Sequence, residues 1–309
     1  MSKLFVIGNG FDISHGLKCT YSDFLEYVCL YHHDQFHRIG SMFGIGNPSF
    51  LWKDFENNLL SFDVNRSICK NKGLIVVARE HPEKNLDIYT TLANACDGLY
   101  SEMQNLFKEW VQEFMKDVSV RPKYQLSTAD YYLSFNYTSL LEYNYHIDPS
   151  HVCHIHRNAF ESESSTPYFG HGGSDNIIES ILDLNTKARN AIKEVGACEE
   201  DVISVYKQLL VDFKKKTKDR LDDVNVRDFF GTLQKKRIDE LVILGHSLGC
   251  SDKPYFQELV KYIDISTPIF YSYYSPTESL TIRCQLEDIF HYPDRVHGNK
   301  MDKLLKGIY

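Results

Sequence analysis

The feature that most constrains the fold is a set of short, continuously apolar runs, each followed by glycine or small polar residues. Such runs are typical of strands buried on both faces, because a strand with one wet face alternates between apolar and polar residues. Helical stretches separate the runs, so the sequence predicts an α/β fold with a Rossmann-like parallel sheet. The predicted strands are 4–7, 131–135, 151–156, 241–244 and 268–274.

Two long stretches between these strands, 31–125 and 174–236, are predicted to be mainly helical insertions. The first carries apolar residues on one helical face, from Leu99 to Phe114, and a similar face recurs from Val202 to Phe213. The Rossmann-like core is therefore expected to be discontinuous. It comprises residues 1–30, 126–173 and 237–309. The run Lys214–Lys216, followed by several aspartates, predicts a solvated helix end.

Net charge, apolar run lengths and cysteine spacing argue against several classes of protein. The chain has 309 residues and a formal charge of −8, which disfavours a protein that coats nucleic acid. No run approaches the roughly 20 apolar residues of a membrane span, and the start does not resemble a signal peptide, so we expect a cytoplasmic protein with no membrane partner. The eight cysteines contain no C-x-x-C pair. This pattern predicts reduced, mostly buried thiols and no metal site.

Small, polar and ionisable residues follow four of the predicted strands. In a parallel sheet, ligands bind beyond the carboxyl ends of the strands, so these residues are candidates for one site. Gly8-Asn9-Gly10 can let backbone N–H groups approach a phosphate, or it is a purely structural turn. Asp12 either binds a ribose hydroxyl or caps the following helix. The residues concerned are Gly8–Asp12, Asn136–Thr138, His156 and Gly245–Gly249 with Asp252.

The segment Gly245-His246-Ser247-Leu248-Gly249 matches the G-x-S-x-G nucleophile elbow of serine hydrolases. In that hypothesis Ser247 is the nucleophile. The acid would be Asp264 or Asp288, and the base would be His291 or His297. Only 60 of the 309 residues follow Gly249, which leaves little chain for both partners and their strands. The hypothesis also gives no role to the glycine turn, Asn136 or His156.

The same residues resemble a known family. Residues 8–18, with Tyr21 and Asp23-Phe24, look like the opening of AbiH-type abortive-infection proteins. Phe135–Thr138, His154–His156 and Gly245–Leu248 with Asp252 are similar to later blocks of that family, in the same order. The resemblance implies a role in defence against bacteriophage.

A wider resemblance is to sirtuin-like domains, which begin G-A-G-x-S-x-x-x-G-[IL] and continue with T-x-N-[IY]-D, H-G and G-[TY]-S-L elements. It implies NAD as the substrate and the activity of an NAD+ glycohydrolase, with Asn136 and the base His156 as catalytic residues. His171, in the sequence F-G-H-G-G, is a second candidate for the base. The implied cofactor-binding residues are Gly8, Asn9, Gly10, Phe11, Asp12, Tyr21, Gly245, His246, Ser247 and Asp252.

The sequence departs from the sirtuin-like pattern at informative positions. Arg157 replaces the glycine after the histidine, and Thr138 replaces the aspartate of the asparagine element. The zinc cysteine pairs of deacetylating sirtuins are missing, which favours NAD hydrolysis over deacetylation. Three hypotheses therefore stand: an NAD hydrolase restrained until infection, a serine hydrolase, and a nucleotide-binding sensor or interaction protein with a degraded site. A phage-derived trigger or partner protein and a homo-oligomer are compatible with the first.

Overall fold

A six-stranded, all-parallel sheet organises the fold in the computed structural model, which describes residues 2–42, 55–72, 96, 98–116, 121–160 and 166–305. The sheet order is β3-β2-β1-β4-β5-β6, so the strand order reverses between β1 and β4. The predicted Rossmann-like α/β class is confirmed. The strands are β1 (Lys3–Ile7), β2 (Tyr131–Ser134), β3 (Val152–His154), β4 (Glu240–Leu244), β5 (Ile269–Ser272) and β6 (Val296–Asn299).

Both faces of the sheet are buried, as the continuous apolar runs require. On β1, Leu4 and Val6 pack into one core and Phe5 and Ile7 into the other. β4 alternates in the same way, because it pairs with β1 residue for residue from Lys3–Glu240 to Ile7–Leu244. The register brings the carboxyl ends of β1, β2 and β4 to one edge of the sheet.

The helices within the described residues are mostly short. They are α1 (Asn9–Ser14), α2 (Tyr21–Tyr31), α3 (His33–Met42), α4 (Phe55–Asn58), α5 (Val64–Lys70), α6 (Leu99–Lys116), α7 (Leu140–Tyr143), α8 (Asp175–Ile181), α9 (Thr186–Glu194), α10 (Glu199–Asp212), α11 (Thr217–Leu221), α12 (Val224–Lys235), α13 (Lys253–Leu259), α14 (Pro276–Phe290) and α15 (Met301–Leu304). Four 3₁₀ turns accompany them at Leu59–Ser61, Pro149–His151, Val260–Tyr262 and Pro293–Arg295.

The chain divides into two compact units. The first, made of 1–20, 108–168 and 216–309, contains the whole sheet. The second is made of 21–107 and 169–215. The predicted core differs from the first unit in including 21–30 and 169–173 and in leaving out 108–125 and 216–236. Residues 43–54, 73–95, 97 and 117–120 of the predicted insertion 31–125 lie outside the described residues.

The burial of Lys215 in the second unit contradicts the expectation of a solvated helix end. The side chain of Lys215 is only 2% exposed, although the run Lys214–Lys216 predicted a solvated helix end. Its Nζ donates to Glu56 Oε1 at 3.2 Å, and the same oxygen accepts from the backbone N–H of Gly170. A buried lysine needs such a partner, because an unpaired buried charge is costly. Lys214 pairs with Asp175 at the surface, as expected for a solvated residue.

All eight cysteines lie within the described residues, and none forms a disulfide. The expectation that most are buried is wrong: Cys96 and Cys153 are buried, two are partly buried and four are exposed. The cysteines are dispersed along the chain and follow no apolar periodicity, so burial had no support in the pattern. Across the ranges given above, no helix combines the length and the apolar character that crossing a membrane requires.

Candidate functional site

Three glycines join the ends of β1 and β4. The Gly8 N–H donates to Leu244 O at 2.9 Å, and the Gly10 N–H donates to Gly245 O at 2.8 Å. A Cβ on Gly8 would lie 2.6 Å from Gly245 O, and a Cβ on Gly245 would lie 2.2 Å from Phe11 N. Gly245 also has a φ of +62°, which favours glycine. The glycines therefore allow two loops to cross, and the amides of Gly8 and Gly10 serve this crossing.

A buried carboxylate, Asp12, lies at the centre of the strand ends. Asn136 Nδ2 donates to its Oδ1 at 2.8 Å, and Thr138 Oγ1 donates to its Oδ2 at 2.6 Å. Both donors come from the loop after β2, so Asp12 ties α1 to that loop and does not cap the helix. Burial raises the pKa of Asp12 to about 6, while the bonds from Thr138 and Asn136 act in the opposite direction.

A second pair of titratable groups extends this cluster. His154 Nε2 lies 2.6 Å from Glu142 Oε1, and His154 Nδ1 lies 3.2 Å from the backbone oxygen of Asn136. In this cluster, two buried acceptor oxygens have no hydrogen-bond partner within the described residues: Asn136 Oδ1 and Glu142 Oε2. Buried polar atoms are nearly always satisfied in native proteins, so these two oxygens are the positions where a donor from a ligand or water fits.

A third group links β3 to the loop after β4. His156 Nε2 lies 3.2 Å from Asp252 Oδ1, and His246 Nε2 lies 3.5 Å from Asp252 Oδ2. The Leu248 N–H donates to His246 Nδ1, which leaves the His246 proton on Nε2, facing the carboxylate. Asp252 precedes α13 without capping it through its side chain, so its carboxylate is directed at the two imidazoles. Both rings pack against Phe135.

The structure thus brings together many of the residues singled out from the sequence. Asp12, Asn136, Gly8, Gly10 and Gly245 form one connected network. His156, Asp252 and His246 form a second network, and its imidazoles rest on Phe135, directly before Asn136. Each of these histidines and Asp12 is at most 5% exposed, so the polar groups at the strand ends are enclosed by protein.

Other predicted residues lie elsewhere or make structural contacts. Phe11 is fully buried among the rings of His15, Tyr124 and Tyr145. Asn9 donates from Nδ2 to the backbone oxygen of Cys19.

Two of the predicted site residues belong to the second unit. Tyr21 packs on the rings of Phe55 and Phe107. His171 is fully buried; its Nε2 lies 2.9 Å from Leu210 O, and its Nδ1 accepts from the Gly173 N–H at 3.1 Å. Both ring nitrogens of His171 are thus engaged by backbone groups of that unit. Burial lowers the pKa of His171, which favours the neutral ring.

The departures from the sirtuin-like pattern have identifiable partners. Arg157 has a φ of +62°, and its guanidinium stacks on the ring of Tyr168 at 4.7 Å. Thr138 binds Asp12 directly. The pattern has a serine at position 12 and an aspartate at position 138. This chain has a carboxylate at position 12 and a hydroxyl at position 138, and the two side chains are hydrogen-bonded to each other.

The residues of the serine-hydrolase hypothesis are dispersed. Ser247 is exposed and has no hydrogen bond to a histidine in the described part of the chain. The positive φ angles of the turn fall on Gly245 and Leu248 and not on the serine. Asp264 accepts from Ser266, and Asp288 pairs with Lys253. His297 packs on Phe270.

Glu142 and Arg220 are the main site residues that the sequence analysis missed. Glu142 lies on the four-residue α7, which is too short to show a periodic pattern. Arg220 is buried and donates from Nε to Ile155 O and from Nη2 to His154 O, both at 2.7 Å. Only their tertiary contacts distinguish them from surface charges. Among the residues described, no cluster of three or more His, Cys, Asp or Glu side chains is placed to hold a metal ion.

Comparison with known proteins gives one result. The model of the family described as bacteriophage abortive infection AbiH matches residues 4–273. That segment includes β2–β5, all of β1 except Lys3, and every residue of the two networks at the strand ends. The searches of curated proteins and of solved structures each gave no significant match.

Proposed function

The chain belongs to the AbiH family of bacteriophage abortive-infection proteins, and from this premise we propose that it is an NAD+ glycohydrolase restrained until infection. The family indicates the biological role in phage abortive infection. The proposal adds the reaction: cleavage of the bond between nicotinamide and ribose in NAD+.

One observation carries the proposal: side chains from four separate chain segments converge at the carboxyl ends of adjacent parallel strands. Asp12 follows β1, Asn136 follows β2, His156 follows β3 and Asp252 follows β4. This edge includes the switch point between β1 and β4, where open α/β sheets bind nucleotides. The hydroxyl of Thr138 and the carboxylate of Asp12, which replace an aspartate and a serine of the sirtuin-like pattern, are hydrogen-bonded to each other, and this supports a retained site.

The proposed reaction needs a general base and a hydrogen-bonding amide. It needs little acid catalysis. Nicotinamide leaves C1′ of the ribose with the bonding electron pair and becomes neutral, so it needs no proton. The ribosyl carbon gains oxocarbenium character, as in glycoside hydrolysis. Water attacks C1′ and passes a proton to His156. Because the Asp252 carboxylate accepts hydrogen bonds only, the neutral ring carries its proton on Nε2 and its lone pair on Nδ1.

The other two polar groups position the sugar in this proposal. Asn136 Oδ1 is a buried acceptor without a partner in the described chain, so it suits a ribose hydroxyl. Its Nδ2 is fixed by Gly8 O and Asp12, which sets the direction of the amide. The amides of Gly8 and Gly10 are occupied, so the pyrophosphate must bind other donors, among them the exposed Ser247.

The burial of the polar side chains at the strand ends is consistent with an enzyme that is inactive until infection. Asp12 and His156 are 1% and 3% exposed, so a dinucleotide reaches them only after the surrounding loops move. We propose that a phage-derived trigger or partner protein drives this opening. Constitutive hydrolysis of NAD+ would harm the host, and a closed resting state avoids it.

The test is to incubate the purified protein with NAD+ and to measure nicotinamide and ADP-ribose by chromatography. The same products are measured in cells that carry the protein, before and after infection. We expect equimolar products at a low basal rate from the purified protein, because its loops open only rarely without the trigger, and a fall of NAD+ in cells only after infection. Unchanged NAD+ in infected cells that the protein protects, together with no turnover in vitro, would exclude this activity. Thermal stabilisation by NAD+ without turnover in either setting would favour the nucleotide-binding sensor instead.

A further inference from the structure

A cavity of about 610 Å³ lies beside the edge strand β3, within the first unit. α7 and α12 contribute to its walls, together with the turn before β3. Its volume is typical of a site for a small molecule or a side chain. The lining residues that matter here are Glu142, Tyr143, Asn158, Phe160, Arg220 and Asp228.

The buried hydrogen-bond donors on the wall are already engaged. Arg220 donates to two backbone oxygens and pairs with Asp223 at 2.8 Å, so its charge is matched. His154 bonds Glu142 Oε1 and the backbone oxygen of Asn136. Ser139 and Asn158 bond each other. An anionic ligand would therefore find no free buried cation on this wall.

Acceptor groups remain on the same wall. Glu142 Oε2 is buried and has no hydrogen-bond partner within the described residues. Asp228 is exposed on α12, and no ion pair of its carboxylate is found among those residues. Glu142 Oε1 pairs with His154 and Arg220 is matched by Asp223, so the acceptors left on this wall are Glu142 Oε2 and the carboxylate of Asp228. These acceptors favour a ligand that brings N–H groups and positive charge.

Aromatic rings add a preference for a planar cation. The rings of Tyr143 and Phe160 lie 6.3 Å apart in an edge-to-face arrangement, and Phe229 also lines the cavity. Tyr143 is 66% exposed, so its ring is accessible to a ligand. A guanidinium stacks on such rings and binds carboxylates through paired N–H groups, whereas an ammonium does neither as well.

From these contacts we propose that the cavity beside β3 binds a guanidinium group, with Glu142 and Asp228 as its carboxylate partners. The group belongs either to a free small molecule or to an arginine side chain of another protein. The proposal does not depend on NAD+ hydrolysis, because none of these contacts involves His156 or Asp252.

The experiment measures binding by isothermal titration calorimetry on the full chain. Agmatine represents a free small molecule, and the peptide acetyl-Gly-Arg-Gly-amide represents an arginine of a protein. The same peptide with citrulline in place of arginine is the neutral control of equal shape. We expect agmatine, the arginine peptide or both to bind, which identifies the source of the group, and we expect no binding of the citrulline peptide.

Variants locate the site. Glu142→Gln is expected to weaken binding about tenfold, and Asp228→Asn about threefold to fivefold, consistent with loss of one charge-assisted hydrogen bond. Asp294→Asn is the matched control, because Asp294 is exposed and lies in the turn Pro293–Arg295, which is not part of this wall. Asp228→Asn changes an exposed side chain and keeps the test valid should Glu142→Gln fold poorly.

Three results would overturn the proposal. The first is no binding of agmatine or of the arginine peptide up to about 5 mM, since millimolar affinity is the weakest that counts as a site. The second is equal binding of the arginine and citrulline peptides. The third is unchanged affinity in Asp228→Asn and in any folded Glu142→Gln protein.

Discussion

Two buried histidines of this chain, His156 and His171, differ in what their ring nitrogens bind. His156 Nε2 faces the side-chain carboxylate of Asp252, whereas His171 is held at both nitrogens by backbone groups, Leu210 O and the Gly173 N–H. Both side chains are buried: His156 is 3% exposed and His171 is fully buried.

The difference matters because of what each environment does to the protonated ring. A carboxylate stabilises the imidazolium that a general base forms when it accepts a proton. A ring fixed between a backbone oxygen and a backbone N–H has one neutral tautomer and no lone pair left for substrate. Burial, which lowers the pKa of His171, reinforces that state. We therefore expect His156 to serve chemistry and His171 to serve stability.

Replacement of His156 tests this distinction with the largest expected effect. His156→Ala should lower NAD+ turnover on the order of 10³-fold, within the range for loss of a general base. The measurement is the initial rate of nicotinamide release, with thermal melting as the check on folding. His297→Ala, on an exposed ring that packs against Phe270, is the control. His156→Gln, which keeps a polar side chain, should be equally inactive. Retention of more than a tenth of the rate in folded His156→Ala would contradict the assignment.

The Asp12 carboxyl should make stability depend on pH. Its pKa is about 6 in the folded protein and 3.8 in the reference state, so between these values the folded chain holds a proton that the unfolded chain has lost. Stability is therefore highest below about pH 4 for this group and falls as the pH rises towards 6. The total change is roughly 3 kcal/mol, from about 1.4 kcal/mol for each pKa unit.

Urea unfolding of the wild type and of Asp12→Asn at pH 4.5, 6 and 7.5 measures this contribution. We expect a flatter pH dependence in Asp12→Asn, because an amide does not titrate while it can still bond Asn136 and Thr138. Asp239→Asn is the control, since Asp239 is a surface carboxylate that accepts from the Ser2 N–H. Parallel curves for the wild type and Asp12→Asn would show that Asp12 is not the titrating group.

The sheet was largely predictable, and its exceptions have physical reasons. Leu4–Ile7 and Leu241–Leu244 are apolar throughout because both faces of β1 and β4 are buried. β6 (Val296–Asn299) was missed because three of its four residues are polar or glycine, which an edge strand tolerates. The third strand was predicted to reach His156 but ends at His154, where a turn closes with a bond from the Arg157 N–H to His154 O.

The site was predictable only where residues follow strands directly. Asn136 and His156 follow β2 and β3 closely and Asp12 lies in α1, which comes directly after β1, and parallel pairing brings those strand ends together. The partners of His154 were not predictable, because Glu142 and Asn158 lie in short or irregular segments whose position depends on tertiary packing. Likewise, F-G-H-G-G resembles a ligand loop in sequence, yet Gly170 is close to Phe213 O, where a Cβ would lie at 2.4 Å. Gly170 therefore reflects packing against the end of α10.

His171→Ala tests the other half of the comparison. The substitution leaves Leu210 O and the Gly173 N–H without their partner inside the protein and opens a cavity, so we expect a loss of about 2–3 kcal/mol of stability. NAD+ turnover per folded molecule should stay at the wild-type level. Chemical unfolding gives the first quantity, and the nicotinamide rate gives the second below the melting temperature. A stable His171→Ala protein without turnover would make His171 the base in place of His156.

Ser247→Ala carries the smallest expected effect and tests whether the loop after β4 acts through orientation or through attack. Ser247 is exposed and bonds no histidine among the described residues, whereas Asp252 on the same loop faces both His246 and His156. Loss of one hydrogen bond to the nucleotide should weaken NAD+ affinity about twofold to tenfold and leave the rate at saturating NAD+ unchanged. A fluorophosphonate probe should not label the protein, because no base contacts this hydroxyl in the part of the chain that the structure describes. Labelling at Ser247, or lost turnover with undiminished NAD+ affinity, would make the serine a nucleophile and reduce His156 to a packed histidine.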